Sequence, residues 1–458
     1  MAAARQLSTA GQVFKEATTE LDALAAGIRE TEASLIASRE HVVLLSQHVE
    51  AQRGILGDRL IDERFFAQGH ETSNLTAPWI PDGLHRKRED LFIAALAVHR
   101  AFIDASAQKV LHNLSVLMNV FSSRPMQDET KRKLLGDIWS TLFLVIPVIS
   151  TTFASVDRML GDLPVGSIGW LLIDEAGQAL PQAAVGAVMR AKRSIVVGDP
   201  LQIPPVVTLP ERLNSEICGF FEVDTSVWTA PDASAQTVAD QTSHFQAAFR
   251  SDRGARRVGV PLLVHRRCQE PMFGISNRVA YDGQMVHATE PRDTSAVGAV
   301  LGSSKWFDVD GEADSKWCSA EGELVIALLK KIAAAGVVDP DLFIISPFRI
   351  VAQEMKRRLE RETSLLSTLQ VDGHTWGNNR IGTIHTVQGR EADAVILILG
   401  APKASQSGAR SWAAGTPNIL NVAVSRAKQD FYVIGSHGAW SGVGHVRELA
   451  VSVPRIRV

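Results

Sequence analysis

Leu171-Leu172-Ile173-Asp174-Glu175-Ala176-Gly177-Gln178 is followed, after a helix-like stretch from Ala179 to Arg190, by Val196-Val197-Gly198-Asp199-Pro200-Leu201-Gln202-Ile203-Pro204-Pro205. Both stretches have one design: a short apolar run, long enough only for a buried strand, that ends abruptly in acidic and polar groups. Parallel strands that deliver carboxylates to their C-terminal edge are how open α/β sheets build ligand sites. The spacing predicts Asp174, Glu175, Asp199 and Gln202 along one edge, an arrangement suited to a metal-bound phosphate and an attacking water. One carboxylate would hold Mg²⁺ through its waters and the other polarise the water that attacks a γ-phosphate. Gln202 would hydrogen-bond both, on a loop stiffened by Pro204 and Pro205.

Downstream, strands and helices alternate, which predicts a parallel sheet with helices on both faces. Val258 to Val264 reads as a strand ending at His265-Arg266-Arg267-Cys268, and a helix starts at Pro271. Leu324 to Ala335 is an amphipathic helix. Leu342 to Ile345 is a strand ending at Ser346-Pro347, followed by a helix from Val351 to Glu362. The strand Ala394 to Leu399, the helix Asn418 to Arg426 and the strand Phe431 to Ile434 complete the series. Between the two halves, residues 222–257 are polar and irregular, with a helix around Ala235 to Phe249.

Upstream, Phe14, Leu21, Ile28, Leu35, Val42, Val49 and Leu56 recur every seven residues. Residues 12–62 are therefore expected to form one long helix with a coiled-coil seam of about six heptads, frayed at Gly54 and Gly57. Its plainest role is a structural stalk or helical hairpin, ahead of a dimerisation zipper. Two further helices are expected, at 86–122 and 129–144. Val145 to Ser155 reads as a strand running into a hydroxyl-rich loop.

The bulk composition excludes several classes. With 458 residues, a formal net charge of −3, 45% apolar and 21% charged side chains, the chain is an ordinary globular one of two or three domains. Nucleic acid would have to be bound by a local patch. Cys218, Cys268 and Cys318 lack metal or disulfide spacing, which points to free thiols and a cytoplasmic setting. No run of about 18 apolar residues predicts a membrane span.

Together these stretches resemble the superfamily 1 helicases, in the group that contains the nonsense-mediated-decay and Dna2/Nam7-like helicases. Asp174-Glu175-Ala176 is similar to the Walker B motif, and Gly198 to Pro205 to the family's glutamine motif. His265-Arg266-Arg267-Cys268-Gln269-Glu270-Pro271 is similar to its arginine motif, with the Tyr and Met replaced and one residue inserted. Thr386-Val387-Gln388-Gly389-Arg390-Glu391-Ala392-Asp393 and Asn421-Val422-Ala423-Val424-Ser425-Arg426-Ala427-Lys428 are similar to the last two motifs. The motifs stand in the family's order, and the resemblance covers residues 145–440.

The resemblance implies an α/β fold of two RecA-like parallel-sheet lobes, the first incomplete at its N-terminus, plus an N-terminal coiled-coil stalk. The implied division is a stalk at 1–62, a helical insertion at 63–143, a partial first lobe at 144–221, a connection at 222–257, a second lobe at 258–440 and a tail at 441–458. It implies ATP or another NTP with Mg²⁺, and single-stranded or duplex DNA or RNA as partner. Asp174 would coordinate the metal, Glu175 activate water, Gln202 sense the γ-phosphate, and Arg267 and Arg426 reach the phosphates from the second lobe. Asp199, Gln388, Gly389 and Glu391 would line the nucleotide. Thr152, Ser346, Pro347, Thr383 and Thr386 would touch the nucleic-acid backbone.

One departure matters most. The family's phosphate loop, GxxxxGK[ST], whose amides and lysine hold the β- and γ-phosphates, has no match in these 458 residues. The expectation is a C-terminal portion of a larger helicase that hydrolyses little or no ATP alone, with an upstream chain supplying the loop and a coiled-coil partner for the stalk. A non-catalytic nucleic-acid-binding or coiled-coil remnant is the competing reading.

Overall fold

The computed structural model describes residues 2–122, 129–251 and 254–458. The chain divides into two compact units, Met1–Ala95 and Leu96–Val458.

In the first unit the helix Ala2–Leu56 is the dominant element. It starts earlier and stops earlier than the heptads predict. The 3₁₀ turn Gly57–Arg59 ends it, with Gly57 at φ 56°, a left-handed conformation that glycine adopts at little cost. Past the turn, Arg53 Nη2 pairs with Asp62 Oδ2 at 2.6 Å, and Asp62 caps the helix Glu63–Ala67 by accepting from the Phe65 N–H. The predicted seam residues Phe14, Leu21, Ile28 and Leu35 are 50–76% exposed.

The second unit begins with helices. Ala107–Ser122, Glu129–Val145 and Phe153–Leu160 bury Leu117, Leu135, Trp139, Leu142, Val156 and Leu160 against one another. The strand expected from Val145 is not formed. The preceding helix runs to Val145, Pro147 bars its continuation, and Ile146 and Val148 are exposed with no strand beside them among the described residues.

Strands β1 (Leu171–Ile173) and β2 (Ser194–Val196) pair in parallel, Leu171 opposite Ser194 and Ile173 opposite Val196. The helix Pro181–Arg190 connects them, with Pro181 in its first turn, where the missing N–H costs nothing. The strands are not buried on both faces, as their apolar runs suggest. Ile173 packs with Ala184 and Ala235, but Leu172 is 69% exposed and Ile195 44%. Side chains alternate along a strand, and in this two-stranded sheet one face is covered and the other open.

The helix expected around Ala235 to Phe249 is present but shorter, Ala235–Thr242, capped by Ser234, and the same irregular stretch also holds an antiparallel hairpin of β3 (Ala247–Ser251) and β4 (Gly254–Val258). The strand expected over 258–264 is thus split. Its start belongs to β4 and its end to β5 (Val264–His265), which pairs with β6 (Val286–His287).

The main core surrounds a six-stranded, all-parallel sheet. Its strands are β7 (Lys305–Asp308), β10 (Leu342–Ser346), β11 (Ile381–Thr383), β12 (Ala392–Ile398), β13 (Ala427–Gly435) and β14 (Arg455–Arg457), in the order β11-β10-β12-β13-β7-β14. A small hairpin of β8 (Ala313–Asp314) and β9 (Trp317–Cys318) lies outside it. β10 is buried throughout, as a central strand covered on both faces must be. The edge strand β14 comes from the stretch read as a tail; Arg455 Nε bonds Asp308 Oδ2 at 2.9 Å and fixes it beside β7. No helix of the described residues is long and apolar enough to cross a membrane.

Candidate functional site

Where β1 ends, the backbone turns sharply. Asp174 Oδ1 accepts from the Glu175 N–H at 2.9 Å, and Glu175 adopts φ 53°. A left-handed residue other than glycine costs about 1–3 kcal/mol and persists only where its surroundings impose it. Here Ala176 N–H donates to Val197 O at 3.0 Å, and Gln178 Nε2 donates to Glu175 Oε2 at 2.9 Å. The next constraint is glycine packing. A Cβ on Gly177 would lie 2.7 Å from Asp199 O, and one on Gly198 2.6 Å from the Gly177 nitrogen. The turns after β1 and β2 therefore touch backbone to backbone, which brings Asp174, Glu175, Asp199 and Gln202 to one edge as the sequence predicts.

The six-stranded sheet supplies the facing wall. Gln388 and Gly389 lie between the 3₁₀ turn Ile384–Val387 and β12. Gly389 has φ 75°, and a Cβ there would sit 3.9 Å from Glu175 Oε1, so this glycine faces the carboxylate. Gln388 Nε2 lies 3.4 Å from Gln202 Oε1, while Gln388 Oε1 is buried without a partner.

The two arginines are held differently. Arg267 Nε pairs with Glu391 Oε2 at 2.8 Å, both side chains about half exposed. Arg426 is 1% exposed: its Nη1 donates to Arg390 O at 3.0 Å, its Nε to Val422 O at 3.2 Å and its Nη2 to Ser425 Oγ at 3.2 Å. Burial and the neighbouring Arg267 lower its pKa, against the pull of Cys268, Glu175 and Glu391. The segment carrying Arg267 is clamped by its neighbours. His265 Nε2 accepts from the Cys268 N–H at 2.9 Å, and burial, then Arg267 and His287, push the His265 pKa down to about 4. Burial pushes the Cys268 thiol up to about 12, which leaves it inert as a nucleophile.

Four of the five residues expected at nucleic acid share one edge. Ser346 and Thr383 are register partners at the C-terminal ends of β10 and β11, Pro347 follows, and Thr386 Oγ1 donates to Thr383 O at 2.8 Å. Ser346 is buried and accepts from the Phe348 N–H at 3.2 Å, so its hydroxyl shapes the turn. Thr152 is exposed at the N-cap of Phe153–Leu160 without a side-chain cap bond. Sequence reasoning missed Tyr281, Asn418 and Asn421, which contact the Asp199–Gln202 loop. Tyr281 is one of only two tyrosines in the chain, and Asn421 opens a stretch already singled out for Arg426. Asp199, expected at the nucleotide, has both carboxylate oxygens engaged within the protein: Oδ1 with the Leu201 N–H at 2.8 Å, Oδ2 with Gln202 Nε2 at 3.2 Å and with Tyr281.

Two family models described as AAA domains match residues 122–209 and 241–438, which between them hold these residues. The mouse (Mus musculus) 5'-3' DNA helicase ZGRF1 is 22% identical over 273 residues, covering 58% of this chain and 13% of that protein. The chicken (Gallus gallus) DNA replication ATP-dependent helicase/nuclease DNA2 is 24% identical over 297 residues, covering 63% of this chain and 25% of that protein. The crystal structure of Arterivirus nonstructural protein 10 (helicase) is 14% identical and covers 60% of this chain and 41% of that one, at a TM-score of 0.28. The chain thus spans a quarter or less of the two curated relatives. The matched domains and the named relatives define the class, a nucleic-acid helicase region. More narrowly, these matches indicate a helicase region of the superfamily 1, Dna2/Nam7-like group.

Proposed function

We propose that this region couples NTP hydrolysis to translocation along, or unwinding of, DNA or RNA, as one part of a two-lobed RecA-like motor. The observation that carries the proposal is the approach of Gly389 to Glu175 beside the Gln202–Gln388 contact. A carboxylate that ends one strand edge meets a loop of the opposite sheet where a nucleotide would bridge them. In this reading Glu175 accepts the proton of the attacking water, and Gln202 orients that water and reads the γ-phosphate. Arg267 leaves Glu391 for the phosphates, which frees Glu391 for the ribose, and Arg426 follows from its carbonyl cage. Thr152, Ser346, Pro347, Thr383 and Thr386 line the path of the nucleic-acid backbone.

The residues present fit a magnesium nucleotide in kind. Among the described residues no cluster of three or more His, Cys, Asp or Glu forms a protein-only metal cage. Magnesium does not need one, since it is commonly held by one or two carboxylates, waters and substrate phosphates; Asp174 is the carboxylate for that role. Gln388 Oε1, buried and unpartnered, is an acceptor open to a ligand hydroxyl or amino group. The bound magnesium nucleotide would supply the electrophilic γ-phosphorus. The phosphate loop itself is proposed to come from a partner chain or a further segment. The lack of a phosphate-loop match in these 458 residues favours a second reading, a nucleic-acid-binding or coiled-coil helicase remnant without turnover.

Titration with a fluorescent ATP analogue and Mg²⁺, in the presence of a polypeptide bearing the phosphate loop, separates the two. The motor reading expects saturable binding that weakens about tenfold or more in Arg267→Ala. Absence of binding, or binding indifferent to Arg267, favours the remnant.

A further inference from the structure

The loop that carries Gln202 is fastened from outside along its backbone. The carbonyls of three consecutive residues each accept from a distant side chain. Pro200 O accepts from Arg256 Nη1 at 3.2 Å, Leu201 O from Asn421 Nδ2 at 3.0 Å, and Gln202 O from Asn418 Nδ2. Two of these donors lie on the helix Pro417–Ser425, which Arg426 follows directly. The third lies on β4.

Tyr281 closes the assembly. Its hydroxyl donates to Asp199 Oδ2 and accepts from Asn421 Nδ2 at 2.9 Å. A phenol has one hydrogen to give and lone pairs to receive, so both roles are filled at once. Burial, and then Asp199, hold its pKa well above the usual value, which keeps that hydrogen in place. Asn421 is also fully used: its two amide hydrogens go to Tyr281 and Leu201, and its Oδ1 accepts from Ser276 Oγ at 2.6 Å. The other Asp199 oxygen accepts from the Leu201 N–H at 2.8 Å. A closed network of this kind rigidifies what it joins. The Tyr281 ring is seated edge-on to Phe249, 6.4 Å between centroids, independently of the hydroxyl.

We propose that Asp199, Tyr281 and Asn421 form a latch that fixes the Gln202 loop to the helix ending at Arg426, with Tyr281 as its central positioning residue. The latch sets the separation of Gln202 and Arg426, two groups on opposite walls. Asp199 in this account is a structural partner of the loop, not a ligand of the nucleotide. The consequence for catalysis rests on the nucleotide-site reading above; the fastening itself does not.

Tyr281→Phe removes one hydroxyl and keeps the ring. Amide hydrogen exchange on the chain without nucleotide is expected to speed up roughly three- to tenfold at Leu201 and Gln202, the scale of one lost hydrogen bond, with β12 and β13 unchanged. Asp199→Asn, which keeps the side-chain shape, is expected to act on the same amides. If exchange rises throughout the sheet in Tyr281→Phe, Asp199→Asn decides. Unchanged exchange at Leu201 and Gln202 in both variants, or in Asp199→Asn alone after such a general rise, overturns the latch. A second arm adds the ATP analogue with the phosphate-loop polypeptide. In the wild type, ligand should slow exchange at 201–203 and 420–426 together; in Tyr281→Phe the two segments should respond separately. Joint slowing in Tyr281→Phe would overturn the latch's part in coupling. Failure of the wild type to bind would sink the nucleotide-site reading and leave the ligand-free result standing.

Discussion

Gly198 approaches Gly177 so closely that a Cβ on it would lie 2.6 Å from the Gly177 nitrogen and 2.8 Å from the Ala176 nitrogen. The two acidic turns are thereby locked into one unit, and neither glycine can be replaced without moving backbone. Gly198→Ala should destabilise the chain by about 1–3 kcal/mol, the usual cost of overpacking. Thermal or denaturant unfolding reads it directly. An unchanged midpoint would mean that the turns are free to separate and that Glu175 and Gln202 are not held in register.

Arg267 distinguishes a functional ion pair from an ornamental one. Its bond to Glu391 joins two half-exposed side chains, so its removal should cost less than about 1 kcal/mol of stability. An arginine that reaches a transferring phosphoryl group is worth about 10³-fold or more in turnover. Arg267→Ala should therefore leave the melting temperature nearly unchanged and reduce loop-supplemented NTP turnover by about that factor. A large loss of stability with modest loss of turnover would make the pair structural.

Glu321 gives a pH signature unrelated to the site. It is fully buried at the start of the helix Ser319–Ala334; its Oε2 accepts from the Gly400 N–H at 2.8 Å and its Oε1 has no partner. Burial pushes its pKa up to about 8. Between about 4.5, where the unfolded chain loses this proton, and about 8, where the folded chain does, the folded state binds more protons. This group's contribution to stability is thus complete below about 4.5 and falls as pH rises to about 8. Glu321→Gln should flatten that slope and raise stability at pH 8 by on the order of 1–3 kcal/mol relative to wild type. Parallel curves of stability against pH for the two proteins would refute it.

Nucleic-acid affinity should respond to salt. A net charge of −3 leaves no general attraction, so binding must come from local backbone contacts that release counterions. Single-strand affinity measured between about 50 and 200 mM salt should fall steeply and linearly on a logarithmic plot. A flat response would exclude backbone tracking.

The legibility of the sequence followed burial and chemistry. β10 and the apolar parts of β12 and β13, Ala394–Ile398 and Phe431–Ile434, were readable because central parallel strands carry buried apolar runs, and the Asp174–Glu175 and Gly198–Gln202 turns because acids follow apolar runs abruptly. The strand predicted from Val145 failed because an apolar run beside Pro147 is equally a helix end and an exposed loop. β7 and β14 were missed because Lys305–Asp308 and Arg455–Arg457 are short and mixed, and tertiary pairing alone makes them strands. Tyr281 and Asn421 escaped notice because their importance lies in a hydrogen-bond closure between segments 82 and 220 residues from Asp199 and Leu201, which no local pattern announces.

The most direct measurement is ATP turnover, with and without single-stranded DNA or RNA, by the chain alone and by the chain combined with a polypeptide bearing the phosphate loop of a superfamily 1 helicase. Turnover is expected to be negligible for the chain alone, stimulated by nucleic acid in the combination, and reduced by about 10²-fold or more in Glu175→Gln. Turnover that persists in Glu175→Gln, or that ignores nucleic acid, would contradict the motor reading.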